Sequence, residues 1–205
     1  MRDTDRRTRQ LLWAAVAVFV VGVLAFVVDG ADRPADPVLD PSPTTATGQP
    51  MASAPADLPP PGDPARVPLD GFDEVAVRVL PEGGTDWLAW CLLAARTAAQ
   101  RGRGLMEVTD LQGYSGMAFV YDEDVQNAFY MRNTPTPLSI AWVSVDGRVV
   151  STADMAPCED REGCPTYPPA GPYRYALEVF QGGLPDLGIT AGATVEVGGA
   201  CAPRT

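Results

Sequence analysis

The sequence predicts a mostly-β fold: a small β-sandwich or barrel-like domain with one or two short helices, preceded by a single transmembrane helix. Three observations predict it. Residues 11–28 run without a charge, about 27 Å of helix, which is enough to cross a bilayer core. Beyond residue 66, short apolar segments recur, and several show the two-residue alternation of a half-buried strand. Gly- and Pro-rich turns separate them, the pattern of a sandwich or barrel rather than a helical bundle.

The elements follow in order. Arg2, Arg6, Arg7 and Arg9 precede the apolar run, and Asp29 and Asp32 follow it. That bias places the N-terminus in the cytoplasm and the rest of the chain outside. A buried core helix would carry a polar face, and this segment has none. A cleaved signal peptide would end at a small-residue site, for which Val28-Asp29-Gly30 is a poor substitute. The expectation is a basic cytoplasmic tail at 1–10, an uncleaved anchor at 11–28 and a single-pass location in the cell membrane. Residues 29–65 hold ten prolines. Such a segment buries too little apolar surface to fold, and reads as a disordered stalk reaching about 100 Å at about 3 Å per residue.

Residues 66–205 form the extracytoplasmic domain. Val75, Val77 and Val79 alternate with Glu74, Ala76 and Arg78, which predicts a strand over 73–80. Trp87 to Ala95 is nearly all apolar and reads as a strand buried on both faces. Thr97 to Arg103 is a short helix, capped by Thr97 and stopped near Gly102 or Gly104. Strands follow at 117–121, 128–131 and 138–145. Asp146-Gly147 is the two-residue turn of a tight hairpin, whose return strand is 148–153. Segments 173–181 and 194–197 complete the set. An even cysteine count in an exported domain suggests two disulfides. Cys158 and Cys164 bracket one Pro-containing loop, which leaves Cys91 to pair with Cys201.

Composition narrows the chemistry. The chain has no histidine and no lysine. Imidazole bases and triads, the commonest zinc and copper ligands, and Schiff-base chemistry are therefore absent. Residues 66–205 carry ten arginines against eighteen carboxylates, a net of −8. An acidic surface repels phosphate backbones, so no nucleic-acid partner is expected. No cofactor and no metal site is implied. The methionines Met106, Met117 and Met131 read as core filler rather than a copper cleft. Tyr121-Asp122-Glu123-Asp124 reads as a solvated turn rather than a calcium loop. Tyr167, Tyr173 and Tyr175 are weighed as a sugar platform and read as core.

Several motifs carry a family resemblance. They are Gly104-Leu105-Met106, Gly116-Met117-Ala118-Phe119-Val120, Phe129-Tyr130-Met131-Arg132-Asn133-Thr134, Pro137-Leu138, and Leu177-Glu178-Val179 with Gly182. Asp146 to Val150, Pro157-Cys158 and Cys164-Pro165 fit the same pattern. From about residue 87 to 197 the chain resembles the domain of unknown function 192 family. The resemblance implies a bacterial or archaeal, often exported, small mostly-β sandwich with short helices and no established activity. Two positions depart from the family pattern. Ser139 stands where an aspartate is usual, and Glu107-Val108 where Phe-Arg is often found.

Within those motifs the candidate ligand-binding residues are Arg132, Asn133, Thr134 and Glu178. Arginine is a fork-shaped donor for carboxylate, phosphate or sugar hydroxyls, and asparagine both donates and accepts. The structural alternative is a turn cap at Asn133-Thr134 before Pro135, with Arg132 paired to Glu178 across strands. The functional expectation is a non-enzymatic cell-envelope module that binds a small or extended polar ligand such as a glycan or peptide. A second reading is a glycosidase-like hydrolase using Glu178 with Asp154 or Asp146. A third is an envelope assembly domain.

Overall fold

The computed structural model describes residues 62–205; the predicted tail, anchor and stalk up to residue 61 lie outside them. Among the described residues no helix is long and apolar enough to cross a membrane.

The strands are β1 (Asp73–Leu80), β2 (Leu88–Ala95), β3 (Met117–Val125), β4 (Phe129–Tyr130), β5 (Leu138–Val143), β6 (Val149–Met155), β7 (Thr166–Tyr167), β8 (Tyr173–Phe180) and β9 (Thr194–Val197). Among the described residues one helix, α1 (Ala98–Arg103), and a single 3-10 turn at Pro185–Leu187 accompany them. Seven strands form one sheet in the order β6-β5-β8-β3-β2-β1-β9, and β4 pairs with β7 apart from it. Of the expected sandwich or barrel-like domain, the mostly-β character holds, and the described strands form open sheets. The sheet curls until its outer strands touch at one point, where Val195 N–H donates to Gly147 O at 2.8 Å beside the Arg148–Thr194 bridge.

The pairing is antiparallel except between β2 and β3. A parallel step needs a long crossover, and residues 96–116 supply it with α1 at its start. Thr97 and Gln100 form a reciprocal capping box at the helix N-terminus, and Gly104 stops the helix with φ +49°. Both caps are legible in the sequence. The hairpin turn is not the expected two-residue type. β5 ends at Val143, and Ser144 N–H donates to Arg148 O at 3.0 Å. Only Gly147 in that loop has positive φ, +79°, whereas the two-residue turn needs positive φ at both central residues. The loop therefore lengthens to Val145–Gly147.

Both faces of the central strands are buried. On one face Val75, Val77 and Val79 pack with Leu92, Ala94, Ala141, Leu177 and Val195. On the other, Cys91, Leu93, Met117, Ile140 and Trp142 pack under Leu105, Leu111, Tyr114 and Met131, which come from the connecting loops. β2 divides its side chains between the two clusters, as its continuous apolar run predicts. Each large side chain buried this way contributes about 1.5–3 kcal/mol. Met117, Met131 and Tyr173 are core residues, exposed by 1% or less.

Two disulfides close the domain, Cys91–Cys201 and Cys158–Cys164, with Cα separations of 5.6 and 5.9 Å. Both pairings match expectation. Beside Cys91–Cys201 lies a charged clamp that sequence reading passes over. The Arg66 side chain is fully buried and grips Glu74 with two bonds, 3.0 Å from Nε and 2.8 Å from Nη2. It also donates to Asp63 O at 2.8 Å and Ala202 O at 2.5 Å. Tyr114 OH (2.9 Å) and Arg204 Nη1 (2.6 Å) donate to the same carboxylate. The hydrogen bonds from Arg66 hold the Glu74 carboxyl below its usual range. The clamp ties the start of the described chain to its C-terminus. Glu74 also lies near the two sulfurs, but these are bonded to each other and offer no thiolate.

Candidate functional site

Glu178 sits in the middle of β8, with Met117 of β3 on one side and Ile140 of β5 on the other. Residues paired across a sheet share a face, so Glu178 points to the side occupied by Met117, Phe119 and Ile140. Its main chain is reached closely by Gly116. A Cβ there would stand 2.3 Å from Glu178 O, so only glycine fits and the Gly116-Met117 motif has a steric origin.

Above Glu178 opens a cleft of about 650 Å³. One wall is the end of α1 with Gly104, Leu105 and Met106; another is the outer part of β3 with Phe119 and Tyr121; the third carries Phe129, Tyr130 and Thr134. Phe129 is the hub of the aromatic wall. Its ring lies edge-on to Phe119 at 5.0 Å and to Trp142 at 6.2 Å, and is tilted against Tyr173 at 6.3 Å. Tyr121 meets Tyr173 edge-on at 5.5 Å. Such edge contacts set ring positions as well as burying area.

The electrostatics centre on Glu178. It is 4% exposed, and among the described residues its carboxyl has no hydrogen-bond or ion-pair partner. Burial alone pushes its pKa up to about 8, so at neutral pH it is mostly the uncharged acid. The carboxyl borders the cleft and is not sealed off from it; the fully buried side-chain atoms without a partner among the described residues are Arg78 Nε and Trp142 Nε1. Burial also raises the phenol of Tyr121 above its ordinary value. The two arginines on the rim are already engaged. Arg101 donates to Val120 O at 2.9 Å and lies over the Tyr121 ring at 4.6 Å. Arg103 donates to Asp70 O at 2.7 Å and lies over Phe72 at 4.9 Å.

The four predicted site residues separate. Glu178 and Thr134 line the cleft. Arg132 does not: it pairs with Asp160 at 2.5 Å, and both side chains are more than half exposed. The expected pairing of Arg132 with Glu178 is therefore wrong. Arg132 lies on the loop side, bridged to Cys158, while Glu178 is under the aromatic wall. Asn133 is a turn residue, as the structural alternative holds. Its φ is +58°, and its amide donates to Glu107 Oε1 at 3.0 Å. With Glu107, Glu159 and Asp160 it borders a second hollow of about 670 Å³, which shares Thr134 with the first.

The carboxylate pairs fail on geometry. Asp154 lies opposite Ser139, which lies opposite Val179; adjacent residues on β8 point to opposite faces, so Asp154 and Glu178 are on different sides of the sheet. Asp146 is in the hairpin loop, bonded to Arg148 at 2.8 Å. Ser139, the departure from the family pattern, is structural. It is 2% exposed, donates to Asp154 at 2.5 Å and accepts from Gly182 N–H at 2.9 Å.

Sequence reading missed the aromatic wall. Phe119 and Tyr121 carry a strand-spacing signal with Met117, but which strand face meets Glu178 depends on pairing register.

A structure from Novosphingobium aromaticivorans, a protein of unknown function, is 32% identical, with a TM-score of 0.56 over 71% of this chain and 99% of that one. A candidate transcription regulator from Sinorhizobium meliloti is 24% identical, with a TM-score of 0.53 over 62% of this chain and 95% of that one. At that identity the likeness speaks for the fold alone. No curated protein matches the sequence. Residues 80–197, more than half of the chain, match the DUF192 family, described as an uncharacterized ACR, and the chain belongs to that family.

Proposed function

We propose that the chain is a membrane-tethered, extracytoplasmic binding module that holds a small ligand in the cleft over Glu178 without chemical conversion. The observation that carries the reading is the Glu178 carboxyl, buried and unpartnered at the floor of an open cleft with aromatic walls. A ligand group that donates to it would supply the partner it lacks among the described residues. Separation of the proposed carboxylate pairs removes the support for a glycosidase-like reaction.

The location rests on the sequence. The uncharged run at 11–28 follows four arginines and precedes a proline-rich stalk. Two disulfides suit an oxidising compartment. A periplasmic-type phosphatase fused after Thr205 is expected to be active in cells. An inactive phosphatase together with an active cytoplasmic reporter at the same position would overturn the topology. For the cleft, a thermal-shift screen of the full-length chain against amines, amino acids, monosaccharides and short peptides is expected to give hits that Glu178→Gln abolishes. Hits unaffected by that substitution would place binding elsewhere.

A further inference from the structure

We infer that the cleft is built for an organic cation, an ammonium group on an apolar body, with the Glu178 carboxylate as its counter-ion and Phe119, Phe129 and Tyr130 as the wall it lies against. The inference rests on the reading of the cleft as a ligand site and names its ligand class.

Four features of the cleft agree. First, the floor is a carboxyl with no partner of its own among the described residues, and a carboxylate is an acceptor that a cation satisfies directly. Second, the lining includes aromatic rings, among them Phe129 and the half-exposed Tyr130, and aromatic rings attract cations. The wall already accepts one cation, since the Arg101 guanidinium lies over the Tyr121 ring at 4.6 Å. Third, the positive charges at the rim are committed. Arg101 and Arg103 both donate to main-chain carbonyls and both lie over rings. Fourth, Asp122 and Glu123 line the mouth and form no ion pair among the described residues. They belong to a domain whose net charge from residue 66 onward is −8. With Glu178 ionised, the lining carries three carboxylates against two arginines, so a cation is favoured there over an anion.

The pH dependence follows from what faces Glu178. From β5 come Ile140 and Trp142, neither of which titrates. From β3 comes Tyr121, a phenol that stays protonated well above neutrality. From α1 come Arg101 and Arg103, and from β4 comes Tyr130. Between pH 6 and 9 the group that changes charge at the floor is Glu178. A bound cation favours its ionised form, so binding near neutrality releases a proton.

The test is calorimetric titration of the full-length chain, in detergent, with benzyltrimethylammonium, whose charge does not titrate. Benzyl alcohol and phenylacetate serve as the neutral and anionic probes. With the Glu178 pKa at about 8, affinity for the ammonium is expected to rise about tenfold per pH unit from pH 6 to 7 and to level off above pH 9. Paired buffers of different ionisation enthalpy should show close to one proton released at pH 7. Glu178→Gln, with its melting transition intact, is expected to bind weakly and without pH dependence. Tyr130→Ala changes a side chain that is 47% exposed, so the fold is spared, and should weaken binding about two- to fivefold. Tighter binding of phenylacetate or benzyl alcohol than of the ammonium would overturn the cation assignment. If that binding still depends on Glu178, the cleft remains a ligand site of another class. An ammonium affinity that is the same at pH 6 and 9, or unchanged in Glu178→Gln, would also sink the assignment. So would failure of the ammonium to bind at millimolar concentration.

Discussion

Replacing Glu178 by glutamine removes one titration from the core and should make the domain more stable wherever that carboxyl is under pressure to ionise. In the folded chain its pKa is about 8 against an ordinary value of 4.5, so the folded state holds the proton more tightly than the unfolded state. Below about pH 4.5 both states are protonated and the group contributes nothing. As pH rises further the unfolded chain ionises first, and stability falls by about 1.4 kcal/mol per unit until about pH 8. The accumulated cost is about 3 kcal/mol at pH 7 and about 5 kcal/mol above pH 9. Glutamine has nearly the same shape and no such slope. Its amide also lacks a partner, a roughly pH-independent penalty of about 1–3 kcal/mol. The diagnostic quantity is therefore the change with pH in the difference between the two proteins, not the difference at one pH. Denaturant titrations of both proteins at pH 5, 7 and 9 measure it, and the variant is expected to gain on the parent by about 4 kcal/mol from pH 5 to 9. A difference that stays constant to within about 1 kcal/mol across that range would show that the carboxyl ionises normally. The account of the cleft floor would then be wrong.

Three other perturbations probe the rest of the structure. Arg66→Ala removes two of the four hydrogen bonds to Glu74, which keeps those from Tyr114 and Arg204, and should cost about 1–3 kcal/mol in a denaturant titration; no measurable loss would mean the clamp is peripheral. Cys201→Ser opens a loop of 110 residues and Cys158→Ser one of 6, so the losses should be about 5 and about 2 kcal/mol, with the reverse order refuting the chain-entropy argument. Arg132→Ala breaks only an exposed pair with Asp160 and should change stability by about 0–1 kcal/mol; a loss beyond about 2 kcal/mol in the melting transition would show that the loop depends on it.

Much of this protein can be read one-dimensionally because the signals are local. The alternation of Val75, Val77 and Val79 reports a strand whose pairing it does not name. Thr97, Gln100 and Gly104 mark both ends of α1 because capping involves only neighbouring residues. Four cysteines with one short-spaced pair leave a simple pairing problem, and both bridges match it. The motifs from Gly104 to Gly182 carry the family. What the sequence left open was decided by register and by long-range closure. A sandwich and a curled single sheet have the same alternating strands, and only the β2–β3 parallel step and the Arg148–Thr194 bridge distinguish them. Arg132 and Glu178 both occur in family motifs, yet they separate because the chain turns at Asn133, with φ +58°, and carries Arg132 to Asp160. Asp154 and Glu178 are both strand carboxylates, and a one-residue offset in pairing puts them on opposite faces of the sheet. The buried acid, the rings of Phe119 and Phe129 and the clamp around Arg66 join residues tens of positions apart. Their meeting depends on how the strands are ordered, a property of the packed chain that no local pattern encodes.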